Sequence, residues 1–313
     1  MTFEAVEILE EENRETAPAE EPEAARVHRK GLSRGGLVWR RLRAKPRFWI
    51  GGIAIVLLVL WAVLGPLFTP WTISFEDVNY FNYPPTSLHW FGTDLLGHDI
   101  YADTMAGLQK SLIIGFVAGP LSTILSAIVG SIAGYIGGKL DSALSWFINL
   151  MLVLPSFFIL VLLFPFTHGS WVIMMLFLAI TDWMIMAQVI RSQTRSLKER
   201  EFVKAARYMG FNAWTVVTRH IIPNVASLLI IDAALGVGGM ILAETTLSFL
   251  GFGVQAPDVS IGTLLSNAEA AAVTRPWLFF YPAVILVVLL FAINLVGDAL
   301  RDAVDPTSGV NRS

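Results

Sequence analysis

Charged residues along this chain are spaced so that long apolar intervals open between them. No charge falls between Arg47 and Glu76, and residues 48–68 supply an unbroken apolar run that ends at Gly65-Pro66. Lys110 and Lys139 bracket a second interval, 111–137. Forty uncharged residues separate Asp141 from Asp182, too many for one crossing, and the break Phe166-Thr-His-Gly-Ser170 divides them into 142–166 and 171–191. A fifth interval covers 223–251, and a sixth lies between Arg275 and Asp298. Runs of about 20 apolar residues match the hydrocarbon thickness of a bilayer, so the pattern predicts an all-α integral membrane protein with six transmembrane helices.

Composition agrees, since 55% of the 313 residues are hydrophobic and only 15% charged. A soluble chain of this length could not bury that much apolar surface. The absence of cysteine excludes disulfide frameworks and thiolate sites. Formal net charge is only −3, yet its distribution is uneven. Residues 1–25 hold nine glutamates and few large apolar groups, which predicts a disordered acidic tail. Residues 26–47 hold nine Lys or Arg interleaved with Leu37, Val38, Trp39 and Leu42, as expected of a basic amphipathic segment resting on lipid headgroups. Seven more cations lie from Arg191 to Arg219, whereas 70–107 has no Lys or Arg. The positive-inside rule then places both termini and the 192–222 loop in the cytoplasm. The expected organisation is a tail (1–25), a basic segment (26–47), a first helix (48–69), an extracytoplasmic segment (70–107), a core of five further helices (108–300) and a cytoplasmic tail (301–313).

Within the second apolar interval, Gly115-x-x-x-Gly119 and Gly130-x-x-x-Gly134 have the spacing that lets helix backbones approach closely. Pro120, Pro155 and Pro165 are expected to kink their helices. The polar loop between the fourth and fifth spans predicts a helix over 196–209, with Phe202, Ala205, Ala206 and Met209 on one face and Gly210 as its stop. Asn212 is placed to cap a second short helix ending before Pro223. Alanines at the tip of such a knob suit a narrow groove in a soluble partner, with Glu201, Lys204 and Arg207 able to pair at its rim. The alternative is a surface helix that merely links two spans. Asp182, Gln188, Asp232 and Glu244 sit at membrane depth, where polar groups are costly, and are candidates for a translocation path or for interhelical pairing.

No ATP-hydrolysing motif is present. Gly137-Gly138-Lys139-Leu140 lacks the first glycine of a phosphate loop and the Ser or Thr that would hold Mg²⁺. There is no His-Glu-x-x-His, and the five histidines are scattered.

Glu201-x-x-x-Ala205-Ala206-x-x-x-Gly210, followed by Ile221-Ile-Pro223, resembles the "EAA" loop of binding-protein-dependent ABC importer permeases. Three further blocks narrow the resemblance to the C-type subunits of oligopeptide and dipeptide permeases (OppC/DppC). They are His89-Trp-Phe-Gly92-Thr93-Asp94-Leu-Leu-Gly97-His98-Asp99, Glu244-Thr-Thr-Leu-Ser-Phe-Leu-Gly-Phe-Gly253, and Asn294-Leu-Val-Gly-Asp298-x-Leu-Arg-Asp302-x-x-Asp305-Pro306. His98, Ala102-Asp103 and Gln109 depart from that family's pattern, as do Asp182 and Asp232.

The resemblance implies a type I (MetI-like) importer permease in a bacterial cell membrane, itself not an enzyme and carrying no cofactor or metal. Its implied partners are a homologous B-type permease subunit, one or two ABC ATPase subunits that bind ATP and Mg²⁺, an extracytoplasmic peptide-binding protein, peptide and lipid, and no nucleic acid. The loop residues Glu201, Ala205, Ala206, Arg207, Gly210 and Pro223 would couple to the ATPase. Nickel or another small cargo is the alternative within the family. An ion-coupled secondary transporter using Asp182 and Asp232, or a scaffold without transport, are the alternatives outside it.

Overall fold

The computed structural model describes residues 34–304, apart from residues 74 and 168. The expected acidic tail, residues 26–33 of the basic segment, the Asp305-Pro306 end of the last block, His28 and His168 lie outside the described residues. The chain divides into two units, 1–40 and 41–313. In the first, the described part is the opening of helix α1 (Arg34–Arg43).

The second unit is all-helical among its described residues, with one isolated bridge, Thr93 to Asp99. Pro46 opens α2 (Pro46–Leu64), where a missing N–H costs nothing, and a tight turn (Gly65–Phe68) ends it. Helix α3 (Ile100–Ile136) is followed by α4 (Gly138–Val153), α5 (Ser156–Leu163) and α6 (Trp171–Leu197). After the polar loop, which holds α7 (Glu201–Tyr208) and α8 (Ala213–Val216), come α9 (Ile222–Phe249), the short α10 (Ile261–Ala268) and α11 (Pro276–Val304). Five helices are long and apolar enough to cross a membrane, or six if the bent pair α4–α5 is one span.

Three expected boundaries need correction. Helix α3 begins at Ile100, well before Lys110, because Asp99 caps it by accepting from the Ala102 N–H at 2.8 Å. Lys110 does not end the helix. Its ammonium pairs with Asp258 at 2.7 Å and lies 4.3 Å from the Trp171 ring, so the stem can run along apolar surface. The third apolar interval is not one kinked helix but two, α4 and α5, bent by 88° at their break. Pro155 offers no N–H, and it holds Leu154 in extended geometry (φ −79°, ψ 122°). Finally, the helix after Asn212 does not end before Pro223. It continues through a π turn (Val217–Ile221) into α9, so that 213–249 form one rod. The wider turn makes room for the proline ring, which a regular helix would drive against the preceding turn.

Helix α3 is the axis of the bundle. It packs most extensively on α6 and next on α9, while α2 leans chiefly on α11. Leu108, Leu112, Ile241, Leu289 and Ile293 fill one core between α3, α9 and α11, and Ile114, Met174, Leu178, Met240 and Leu247 fill another between α3, α6 and α9. At 37 residues α3 is roughly 55 Å long, well beyond the 30 Å hydrocarbon layer, so it carries the bundle into water at both ends.

Its four motif glycines lie at backbone contacts. A Cβ added to Gly119 would stand 2.9 Å from the Gly236 carbonyl carbon, and one on Gly134 would stand 2.6 Å from the Arg191 carbonyl oxygen. Gly130→Ala would place its methyl 2.5 Å from the Ala187 carbonyl oxygen, which backbone cannot easily vacate. That substitution should cost about 1–3 kcal/mol and lower the thermal-unfolding midpoint in detergent. Gly52→Ala, whose added carbon meets nothing within 4 Å, should leave the midpoint unchanged.

Candidate functional site

The loop between α6 and α9 folds into a knob of two short helices, α7 (Glu201–Tyr208) and α8 (Ala213–Val216). The expected 196–209 helix is interrupted, because α6 runs on to Leu197 and a turn at 198–200 starts α7 afresh. Gly210 (φ +82°) stops α7 as expected. Its N–H donates to the Arg207 carbonyl at 3.0 Å, and the Phe211 N–H donates to the Ala206 carbonyl at 3.3 Å. Asn212 caps α8 by accepting from the Thr215 N–H at 2.8 Å.

The inward face of the knob differs from the one expected. Val203 and Ala206 are buried with Val216, Val217 and Ile221, whereas Phe202, Ala205 and Met209 are exposed. Ala206 therefore packs beneath the knob rather than at its outer tip, since the helical repeat pairs it with Val203. Tyr135 of α3, Leu197 of α6 and Ile222 of α9 pack against the same cluster. The ends of the three principal helices thus meet under the knob. Outside it, Phe202, Tyr208, Met209, Phe211 and Trp214 present apolar surface to solvent, with Tyr208 89% exposed. Such a contiguous apolar display marks an interaction site. Of the expected rim groups, Lys204 pairs with Glu199 at 3.5 Å rather than with Glu201. Pro223 lies at the start of α9, just past the π turn, and not on the knob's outer surface.

Beside the knob, the buried carboxylate of Asp141 in α4 holds Arg191 and Arg195 of α6, the former with both Nε and Nη2. Sequence reasoning did not single out this triad. Its one signal was that these charges close the two apolar intervals at the same membrane face.

Of the four polar candidates at membrane depth, two are brought together. Asp182 of α6 accepts from Ser122 at 3.1 Å, and Asp232 of α9 accepts from Thr123 at 2.6 Å, so both carboxylates converge on adjacent hydroxyls of α3. Gln188 donates to Asn149 of α4 at 2.8 Å. Glu244 stands apart and is fully buried, accepting from Ser248 at 2.6 Å and Ser260 at 2.5 Å. Its Oε1 ties α9 to the cap of α10, while Oε2 is buried without a hydrogen-bond partner.

The segment between α2 and α3 is a compact knot over the start of α3. His89 is fully buried, with Nδ1 2.8 Å from Asp99, Nε2 3.5 Å from Asp77, and its ring stacked on Trp71. Gly97 (φ +86°) lets the backbone pass Asp77, since a Cβ there would stand 2.5 Å from the Asp77 carbonyl oxygen. Asp94 accepts from the N–H groups of Leu96 and His98, both at 2.8 Å, and lies 3.0 Å from His98 Nδ1. The block from His89 to Asp99 is therefore a folding motif.

With this geometry in hand, family comparison is decisive. Residues 126–309 match the model for the "Binding-protein-dependent transport system inner membrane component", and residues 33–85 match the "N-terminal TM domain of oligopeptide transport permease C". The chain belongs to this transport-permease family. It is 47% identical to the oligopeptide transport system permease protein OppC of Mycobacterium tuberculosis (strain ATCC 25618 / H37Rv), over 88% of this chain and 96% of that protein. It is 40% identical to OppC of Escherichia coli (strain K12), over 81% and 85% respectively. It is 32% identical to the dipeptide transport system permease protein DppC of Bacillus subtilis (strain 168), over 91% and 89%. The chain is thus a multi-pass bacterial membrane protein of the permease type.

Three predictions come from the charged groups of this unit. Asp141→Ala leaves the mostly buried Arg191 guanidinium without its carboxylate, while the half-exposed Arg195 can turn to solvent, and should cost about 1–3 kcal/mol in detergent unfolding. Lys45→Ala breaks an ion pair with Asp302 that is 34% and 46% exposed, and should cost at most about 1 kcal/mol. For His98, burial lowers the imidazole pKa, but the hydrogen bond to Asp94 and the charges of Asp94, Asp103 and Glu76 outweigh it and raise the value above 6.5. Its stabilisation is then complete below pH 6.5 and lost as pH rises through the raised value. The melting difference between pH 6 and pH 8 should shrink in His98→Asn.

Proposed function

We propose that this chain is the membrane-spanning subunit of a peptide importer driven by separate ATPase subunits. The supporting observation is the knob, whose apolar outer surface is solvent-exposed while its inner core rests on α3, α6 and α9 together. A displacement applied to α7 therefore reaches three long helices through one packed cluster, without a flexible linker. Packed interfaces switch between discrete arrangements rather than deform continuously, as alternation between inward- and outward-open states requires.

In this reading both termini and the knob are cytoplasmic, and the 70–99 knot meets an extracytoplasmic binding protein. A homologous B-type permease subunit completes the pore. ATP and Mg²⁺ stay on the ATPase subunits, which receive α7 in a groove through Phe202, Ala205 and Arg207. Asp182 and Asp232, held against Ser122 and Thr123, and Gln188 contribute polar wall at mid-membrane. The oligopeptide and dipeptide permeases it matches make peptide the cargo best supported. ATP-biased population shift between two packings of the bundle then moves peptide inward.

Gly210→Leu tests the coupling role. A Cβ at Gly210 meets nothing within 4 Å, so the fold loses only about 1–2 kcal/mol of backbone conformational energy. The variant should insert and assemble normally yet lose at least tenfold in ATP-dependent uptake of a radiolabelled tripeptide. Full uptake would remove the knob from the mechanism.

A further inference from the structure

We propose that a cavity at the extracytoplasmic end of α3 is a subsite for the amino terminus of a peptide, with Asp103 receiving the ammonium group. The proposal rests on the peptide-importer reading above and names a place where cargo is recognised. The cavity measures about 690 Å³ and lies between the 73–98 segment, the first turn of α3, the 256–259 loop, α10 and the entry to α11. Its size falls within the range of about 300–1,000 Å³ common for small-ligand sites.

Asp103 is 6% exposed and lines this cavity, yet its carboxylate has no hydrogen-bond or ion-pair partner among the described residues. The neighbouring acids are all engaged. Asp99 caps α3 and holds His89, Asp77 faces His89 from the other side, and Asp258 pairs with Lys110. Asp94 binds His98 at 3.0 Å, and Glu76 lies 3.7 Å from the other nitrogen of that ring. The direct contacts of His98 thus go to Asp94 and Glu76, and its charge reaches Asp103 only from beyond ion-pair distance.

A buried carboxylate that accepts no hydrogen bond is costly to ionise, and a ligand cation entering the cavity would recover much of that cost. A compact ammonium with three donors suits it. The rest of the cavity suits the remainder of a peptide. Ile73, Leu96, Pro257, Leu264 and Leu278 offer apolar wall that demands no particular side chain. Arg275 also lines the cavity and has no ion-pair partner among the described residues, so its fork can meet carbonyl or carboxylate oxygens.

The test uses the full chain in lipid nanodiscs with the subunits that purify with it, and without binding protein. Trialanine and N-acetyl-trialanine are compared by saturation-transfer NMR on the alanine methyl signals. Trialanine should bind the wild type at least tenfold more tightly than its acetylated form. Asp103→Asn should reduce trialanine to the acetylated level, and Asp103→Glu should keep the preference. Equal binding of the two peptides to the wild type, or no binding of trialanine, would overturn the subsite without any variant having to fold. An unchanged preference in Asp103→Asn would overturn it too. ATP-driven uptake of trialanine in proteoliposomes supplied with binding protein separates the two ideas. Uptake without amino-terminal preference at this cavity defeats only the subsite, whereas absent uptake defeats the importer reading itself.

Discussion

Direct contact between helix backbones holds this bundle together. In a bilayer, lipid tails are as apolar as leucine, so helices gain little by hiding apolar side chains from their surroundings. What remains is dispersion at close range and the occasional polar bridge. Helix α3 meets that condition twice, through Gly115 and Gly119 against α9 and through Gly130 and Gly134 against α6. Each pair spans one turn on one face, so α3 is clamped to both neighbours along its length. Ser122 and Thr123 lie between the two clamps and supply the hydroxyls that receive Asp182 and Asp232.

A rod clamped in this way carries motion end to end, and both of its ends are elaborated. At its C-terminal end, Tyr135 sits in the cluster beneath the knob, and the Asp141–Arg191–Arg195 group ties α4 to α6 nearby. At the other end, Asp99 caps the helix and anchors His89, so the 70–99 knot cannot move without its first turn. Lys110 joins α3 to Asp258 and Trp171, and Glu244 joins α9 to Ser260 at the cap of α10. Nearly every buried charge near the bundle's ends is paired, as low dielectric demands. Asp103, whose carboxylate accepts no hydrogen bond, and Glu244, whose Oε2 has no partner, depart from that rule among the described residues.

Much of the candidate site was legible before any coordinates. Gly210 and Asn212 announce a stop and a cap by chemistry that acts within a few residues, and both do so here. The glycine pairs likewise announce close approach, since no other residue permits it. The inward face of α7 was not legible, because Phe202, Ala205, Ala206 and Met209 fit a helical stripe as well as Val203 and Ala206 do. Only the position of α9 beneath α7 chose between them. The Asp141 triad was hidden for a related reason, its members lying 50 and 54 positions apart.

The primary sequence determined the number and length of the apolar segments, the uneven distribution of Lys and Arg, and the local signals at Asp99, Pro155, Gly210 and Asn212. These depend on solvation and on backbone sterics, which act over single turns. Tertiary structure alone decided that α8 runs unbroken into α9 and that Glu244 is sealed between α9 and α10. It also decided which acids find partners and which one is left facing a cavity. Those outcomes depend on distances between residues remote in the chain, and distance is set only once the helices have packed.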